Sequence, residues 1–390
     1  MGKNPTQSDV AAAAGVSRGL VSLALSGSTL VAADTRERIL ATARELGYTR
    51  DLGAASLAAG RSPVLGVVLP DLRNPFFEGV VDAIGAEARS QHLLPLVATA
   101  SDLTDQEALI LTRFRELRVA GVIMVSPVQS ISALERAAKT LPLVLIGADI
   151  PHARLDSVHV DEDAAARLVI AHLVERGWRS VVSLSERSGP GEVWIERRQV
   201  ALAEAASAAG LPFTSIEGAE DEGAAPVLRA LLADGLAERS AIVAHNDLVA
   251  IDALAVLRDA GLRAGRDVAV IGFDDTHLAR RPEFGITSVS QDSARLAHLA
   301  MAALLEPRCR GGSGRSRGGG GARSDGAQFQ LRRPRRGVDR VRPQDGWSRS
   351  LPIGPVFAVR AQDHGVSGVI GTTGTGARRA KPPNLVRTKS

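Results

Sequence analysis

The spacing of apolar positions changes twice along the chain. Over residues 1–50 they recur at helical spacing in three short runs. "SDVAAAA" follows Thr6, with Asp9 three residues on in capping-box spacing, and stops at Gly15. "RGLVSLAL" follows Ser17, a residue suited to a helix N-cap, and is closed by Gly27. "TRERILATARELGY" follows a second capping-box pair, Asp34 and Glu37, and places Ile39, Leu40, Ala43 and Leu46 on one apolar face. Only a few residues around Gly15 separate the first two helices. That is helix-turn-helix spacing, which offers the second helix to a DNA major groove.

Residues 51–62, "DLGAASLAAGRS", are small and weakly helical. From Pro63 the pattern becomes an alternation of short continuous apolar runs and longer amphipathic stretches. "VLGVVLP", "LLPLVAT", "AGVIMVSP", "LPLVLIGA", "SVVSLSE", "AIVAHND" and "DVAVIGFDD" read as strands, with helices between them. Uninterrupted apolar strands flanked by helices imply parallel sheets covered on both faces. The roughly 240 residues of 63–306 exceed one comfortable sheet, so two similar α/β lobes are expected. Ligands in such sheets bind beyond the carboxyl ends of strands. This singles out the strand ends "MVSP", "IGAD", "AHND" and "GFDD".

Composition refines this picture. Apolar residues make up 45% and charged residues 23% of the 390, as in ordinary globular proteins, but aromatics are only 3%. The cores must therefore be built from Ala, Val, Leu and Ile. The single cysteine, Cys309, excludes an internal disulfide framework. The polar start "MGKNPTQSDVAAAAGVS" lacks a signal-peptide core, and no run approaches the ~20 apolar residues of a membrane span, so a cytoplasmic protein is expected. The net charge of +4 is unevenly distributed. Residues 1–62 hold seven Lys/Arg against five Asp/Glu, residues 63–306 hold 22 against 34, and residues 307–390 hold 18 against four. The basic character resides in the tail.

Taken in order, the motifs resemble the LacI/GalR family of bacterial transcriptional repressors. They are "SDVAAAAGVSRGLVSLALSG", "ADTRERILATARELGY", "LGVVLPDLRNPFFEGV", "GVIMVSP", "SVHVDEDAAARLVIAHLVERG", "AHNDLVAIDALAVLRDAGL", "DVAVIGFDD" and "ITSVSQD". The resemblance covers Thr6 to Glu306. It implies a helix-turn-helix headpiece (1–50), a hinge helix (51–62) and a two-lobed core of parallel sheets like that of periplasmic binding proteins (63–306). It also implies a homodimer that binds pseudo-palindromic operator DNA, with a small effector, a sugar or related metabolite, in the interlobe cleft. No cofactor and no enzymatic activity are implied. A sugar-binding transport protein is the other reading the core alone allows. An RNA-associated protein acting through the Arg/Gly tail is a third.

The resemblance also assigns residues. The positions that read bases fall on Arg18 and Gly19. Thr6, Ser17 and Ser22 lie where the family contacts DNA, with Ser17 and Ser22 as phosphate donors. Arg18 can pair with guanine O6/N7, worth ~1–3 kcal/mol of discrimination. Leu23 stands where a basic reader is often found and offers only apolar contact. Gly19 costs roughly 1 kcal/mol of helix stability relative to Ala. Leu57 occupies the position that wedges into the minor groove. Arg50 in "YTRD" replaces the usual proline at the hinge entry. For the effector, the resemblance points to Arg198, Asp247 and Asp274, with Asp275 second to them. Phe76 and Phe77 are expected as an apolar wall or as core, and Ser126 and Asp149 as further strand-end groups. Trp194 is placed for stacking on a ring or for local packing.

Enzymatic signals fail on context. "GRSRG" (314–318) fits the nucleophile-elbow pattern but lies in a low-complexity stretch with no preceding strand. His159, His172 and His245 lack metal-ligand spacing. Residues 307–343 have no helix or strand period, and the Gly/Arg-rich tail 307–390 reads as disordered, either a basic appendage or the product of a shifted reading frame near codon 306. The family is expected to close with a strand region in the second lobe after "SARLAHLAMAALLE", and "LPIGPVFAVRAQ" bears a faint similarity to it.

Overall fold

The computed structural model describes residues 5–49, 62–148, 155–186, 193–219, 222–306 and 356–359. The first helices are α1 (Gln7–Ala14), α2 (Arg18–Leu25) and α3 (Ala33–Glu45). The predicted capping box forms at α1, where Thr6 N–H donates to Asp9 Oδ2 at 2.7 Å and Asp9 N–H donates to Thr6 Oγ1 at 3.4 Å. Gly15 ends the helix at φ 65°, a left-handed turn that a side chain would strain. Ser17 Oγ then accepts Leu20 N–H at 3.2 Å and starts α2. The second predicted box does not form. Helix α3 begins at Ala33, with Ala32 as an N-cap that makes no side-chain bond, so Asp34 sits inside the first turn. There its charge faces the helix dipole favourably. Val10, Ala14, Val21, Ala24, Val31, Ile39 and Ala43 pack into one small core. Of the predicted α3 face, Ile39 and Ala43 are buried, Leu40 is half-buried and Leu46 is exposed.

The first lobe follows as β1 (Val64–Leu69), α4 (Pro75–Ser90), β2 (Leu94–Thr99), α5 (Thr104–Glu116), β3 (Gly121–Val125), α6 (Ile131–Ala138), β4 (Leu143–Ile146) and β5 (Asp156–Val160). The second comprises α7 (Glu162–Glu175), β6 (Ser180–Glu186), α8 (Val193–Ala208), β7 (Phe213–Gly218), α9 (Ala225–Asp234), β8 (Ser240–Ala244), α10 (Asp247–Asp259), β9 (Ala269–Asp274) and β10 (Thr287–Ser290). The chain closes with α11 (Ser293–Leu305) and β11 (Val356–Val359). The first sheet has the order β11-β5-β4-β3-β1-β2 and the second β10-β9-β8-β6-β7. All pairings are parallel except β11 on β5. Each sheet is covered on both faces, which accounts for strands such as β3 and β8 being buried at every position.

The chain passes from first to second lobe at Asp161 and returns at Gln291–Asp292. The return corrects one expectation. Leu296, Ala297, Ala300 and Met301 of α11 pack with Phe77, Val80 and Ile84 of α4 against the first sheet, so the closing elements belong to the first lobe. Within residues 307–390, Val356–Val359 of the stretch "LPIGPVFAVRAQ" form a strand whose Val356 pairs with Val160 and Val359 with Ser157, in the first sheet and not in the second lobe. Among the described residues, no single helix is long and apolar enough to cross a membrane.

Candidate functional site

Two regions gather the predicted residues. The first is the outer face of α2. Val21 and Ala24 point inward, while Arg18, Gly19, Ser22 and Leu23 are exposed along one side of the helix. Ser17 uses its oxygen as an acceptor for the cap and keeps its hydroxyl hydrogen to donate. Thr6 is exposed at the start of α1. Its hydroxyl donates to Asp9 Oδ2 at 2.8 Å inside the capping box and fixes the start of α1. Leu57 lies outside the described residues.

The second region lies between the lobes, at the carboxyl ends of the strands. Asn74 is the N-cap of α4: its Oδ1 accepts Phe76 N–H at 3.0 Å and its Nδ2 donates to Asp274 Oδ2 at 2.9 Å. This hydrogen bond joins the first lobe to the second. The other Asp274 oxygen accepts from Gln291 Nε2 on the returning crossover. Asp274 holds φ 102° and Asp275 φ 52°, conformations that a non-glycine residue adopts only when its surroundings enforce them. The surroundings do. Asp275 N–H donates to Ser288 Oγ at 2.9 Å, and its carboxylate pairs with Arg280 at 2.9 and 2.6 Å. Beneath them, Asp247 accepts Thr276 N–H at 2.7 Å and Ser288 Oγ–H at 2.6 Å. A Cβ at Gly272 would come within 2.3 Å of Asp247 Oδ1, so only glycine lets the carboxylate reach the turn.

This geometry corrects the reading of Asp247 as an effector contact. Its side chain is fully buried and both oxygens are bonded to the turn that positions Asp274 and Asp275. It is a positioning residue. Nor does it cap α10; Asn246 does, accepting Val249 N–H at 2.9 Å. Burial, with Asp274 nearby, pushes the Asp247 carboxyl up to about 6. Burial also raises Asp274, against the pull of Asn74, Arg198 and Gln291.

Arg198 projects from α8 into the same cluster and is buried. Its Nε and Nη2 each donate to a Glu162 oxygen at 2.8 Å, and its Nη1 donates to the His245 carbonyl at 2.6 Å. Its guanidinium carbon lies 3.9 Å from the centre of the Phe273 ring. Burial opposes this charge, but Glu162 and then Asp274 more than compensate and hold the arginine above its ordinary value. Burial and the Arg198 cation drive His245 down to about 3, so the imidazole is neutral at pH 7. Arg198 thus feels the charge of Asp274, with its planar fork directed to Glu162.

The remaining predicted residues divide. Phe77 is buried in the first-lobe core, whereas Phe76 is half-buried, 5.6 Å from it between ring centres. Ser126 ends β3 at φ 47° and donates its N–H to the Ile146 carbonyl. Asp149 and the Trp194 side chain lie outside the described residues. Asn74, Glu162, His245, Asn246 and Gln291 were not anticipated. The N-cap signal of Asn before Pro marked Asn74, but nothing local marks Glu162 or Gln291, whose partners lie 36 and 17 residues away.

Comparison with known proteins covers both the N-terminal helices and the α/β lobes. Residues 6–51 match the model described as bacterial regulatory proteins, lacI family, and residues 170–315 match a periplasmic binding protein-like domain. The chain is 27% identical to the transcriptional regulator DegA of Bacillus subtilis, over 73% of this chain and 85% of that protein. Among solved structures, the lac repressor dimer bound to operator and the anti-inducer ONPF superposes with a TM-score of 0.68 at 25% identity, covering 78% of this chain and 92% of that one. The complex of the regulator CelR with cellobiose gives a TM-score of 0.55 at 27% identity, over 77% and 92%. The similarity to CelR of Thermobifida fusca reaches 31% identity over 79% of this chain and 93% of that protein. The chain, with its helix-turn-helix and two-lobed core, therefore belongs to the lacI family of bacterial transcriptional regulators.

Proposed function

We propose that this regulator is a cytoplasmic repressor without enzymatic activity. It binds a pseudo-palindromic operator as a homodimer and is controlled by a sugar in the interlobe cleft. The division of labour is that of the sequence reading: residues 1–50 read DNA, 51–62 form the hinge and 63–306 bind effector and partner copy. The observation that carries the proposal is the hydrogen bond between Asn74 and Asp274, because it ties the lobe that follows the headpiece in the chain to the other lobe, across the gap where the ligand would sit. A sugar hydroxyl donating to Asp274 competes with Asn74, so occupancy changes how the lobes meet, and with it the spacing of the two headpieces. Exposed Leu94, Leu96 and Val97 on the edge strand β2 supply an apolar surface for the second copy.

The test is genomic operator selection followed by fluorescence anisotropy on the selected duplex, with and without a panel of sugars. Tight binding to a two-fold site, altered by one sugar, is expected. Binding that no sugar alters would remove the effector half of the proposal. In the same assay Arg18→Ala should cost ~1–3 kcal/mol on the best operator and flatten the preference at one base pair of each half-site. Equal loss on every operator variant would reduce Arg18 to a phosphate contact.

A further inference from the structure

The end of the first lobe away from the cleft carries positive charge that the fold leaves unused. The chain comes from the headpiece into this end at Ser62 and Pro63, just before β1. Leu94 N–H donates to the Pro63 carbonyl and Ala120 N–H to the Val64 carbonyl, both at 2.7 Å. Val122 N–H donates to the Pro142 carbonyl at 2.8 Å. The turns that follow α4, α5 and α6 therefore lie side by side at the point of entry. Arg89, Arg115 and Arg136 stand in the last turns of those helices, Lys139 is the C-cap of α6, and Arg118 lies in the turn after α5. All five are exposed and make no ion pair or side-chain hydrogen bond with any described residue. The acids at this end are engaged. Arg113 pairs with Glu116 at 2.8 Å, His298 lies 3.1 Å from Glu87, and Glu135, Asp156 and Glu306 have partners of their own.

Cations in a last helical turn complement the helix dipole, so their presence alone says little. The second lobe supplies the comparison. At the same end of its strands, Arg263 pairs with Asp267 at 2.9 Å and Arg258 lies 3.7 Å from Asp259. Arg239 donates to the carbonyls of Arg176 and Gly177 and lies over the Trp178 ring. Arg179 and Arg266 remain, among Glu175, Asp234 and Glu238. Among the described residues the first lobe thus presents the basic face, although residues 63–306 hold 22 Lys/Arg against 34 Asp/Glu. A core this acidic repels DNA within a Debye length, ~8–10 Å, unless the facing side is basic. The C-terminal segment adds to that face. Strand β11 runs antiparallel to β5 with Val359 opposite Ser157, so residue 360 follows at the same end. Residues 360–390 hold six Lys/Arg against Asp363 alone, and a segment of that length reaches at most roughly 100 Å.

We propose that this face of the first lobe, extended by residues 360–390, holds phosphates of the DNA bound by the headpiece, without reading its sequence. The proposal rests on operator binding by the headpiece. Anisotropy titrations of the full-length chain between about 50 and about 200 mM salt test it, on the selected operator and on an unrelated duplex of equal length. One variant carries Arg89→Gln, Arg115→Gln, Arg118→Gln, Arg136→Gln and Lys139→Gln together. Its plot of log affinity against log salt should be shallower than wild type by at least about 2, the share of two or more phosphates, on both duplexes. Truncation after Val359 should flatten the slope further. Arg89→Lys, Arg115→Lys, Arg118→Lys and Arg136→Lys together keep the charge and should keep the slope. A fivefold variant with the wild-type slope overturns the proposal, even if the truncation flattens it. Loss confined to the operator also overturns it, because the residues would then act through base reading. So does tighter binding of an RNA duplex than of either DNA. Should the fivefold variant not fold, Arg118→Gln with Lys139→Gln should lower the slope by about 1, and an unchanged slope there is equally fatal. Absence of operator preference in the wild type would remove the operator reading itself, and the proposal with it.

Discussion

The headpiece and the cleft place their polar side chains in opposite ways. On α2 the polar groups assigned to DNA, Arg18 and Ser22, are exposed on a helix whose other side forms the core, and the fold does not need them. In the cleft the corresponding groups hold one another. Arg198 needs Glu162, Asp274 is held by Asn74 and Gln291, and Asp247 holds the strained turn that presents Asp274. A DNA-reading surface meets its partner as a rigid body and needs only the right residues on the outside. An effector site that also moves two lobes has its binding groups bonded across them. Function and stability are therefore separable in the headpiece and inseparable in the cleft.

The sharpest way to break that contrast is Glu162→Gln. It leaves Arg198, with 3% of its side chain exposed, without its counter-charge. A loss of about 3–5 kcal/mol in urea unfolding of the core is expected, whereas Arg18→Ala should leave the unfolding midpoint unchanged. Next comes Asp247. Its carboxyl titrates near 6 in the folded protein against 3.8 unfolded, so the folded state holds the proton more tightly. Its contribution is most favourable below the unfolded value and is lost as pH rises through about 6. Between pH 4 and pH 7 this group should cost roughly 2–3 kcal/mol. The difference in unfolding free energy between wild type and Asp247→Asn, followed across that range, should carry this slope. A pH-independent difference would mean that the carboxyl is not desolvated.

A third comparison probes the closing strand. Truncation after Glu306 removes β11 from β5 and should lower core stability by roughly 1–3 kcal/mol, while removal of residues 360–390 alone leaves the strand and should not. Equal midpoints for the two truncations would show that β11 contributes nothing. The smallest effect belongs to the headpiece. Thr6→Ala, which dismantles the α1 capping box, should cost about 1 kcal/mol, read from the headpiece's own thermal transition. A shift of the core transition instead would mean that headpiece and core do not unfold separately.

Legibility in the sequence follows the same division. The capping box at Thr6 and Asp9, the turn at Gly15, the cap at Ser17 and the exposed side of α2 could all be read locally, because each depends on residues within four positions. The pair at Asp34 and Glu37 misled for the same reason: the spacing was right, but the tertiary start of α3 at Ala33 placed Asp34 inside the helix. In the cleft, the strand-end rule located Asp274 and Asp247 but could not rank them. One carboxylate faces Asn74 across the lobes and the other is sealed beneath the turn, although both follow apolar strands in similar motifs. The polar character of "QD" at 291–292 gave no hint that Gln291 would bind Asp274 as the chain returns to the first lobe.

The sequence by itself determined the helix-turn-helix, the alternation of strands and helices that demands parallel sheets, and the family, because periodicity, caps and motif order are properties of neighbouring residues. The tertiary structure decided which lobe receives α11 and β11, that Arg198 is spent on Glu162, and that Asp247 is sealed beneath the turn while Asp274 meets Asn74 across the lobes. Those outcomes depend on side chains brought together from distant parts of the chain, as with Asn74 and Asp274, 200 positions apart. Their burial sets how strongly each charge needs the others.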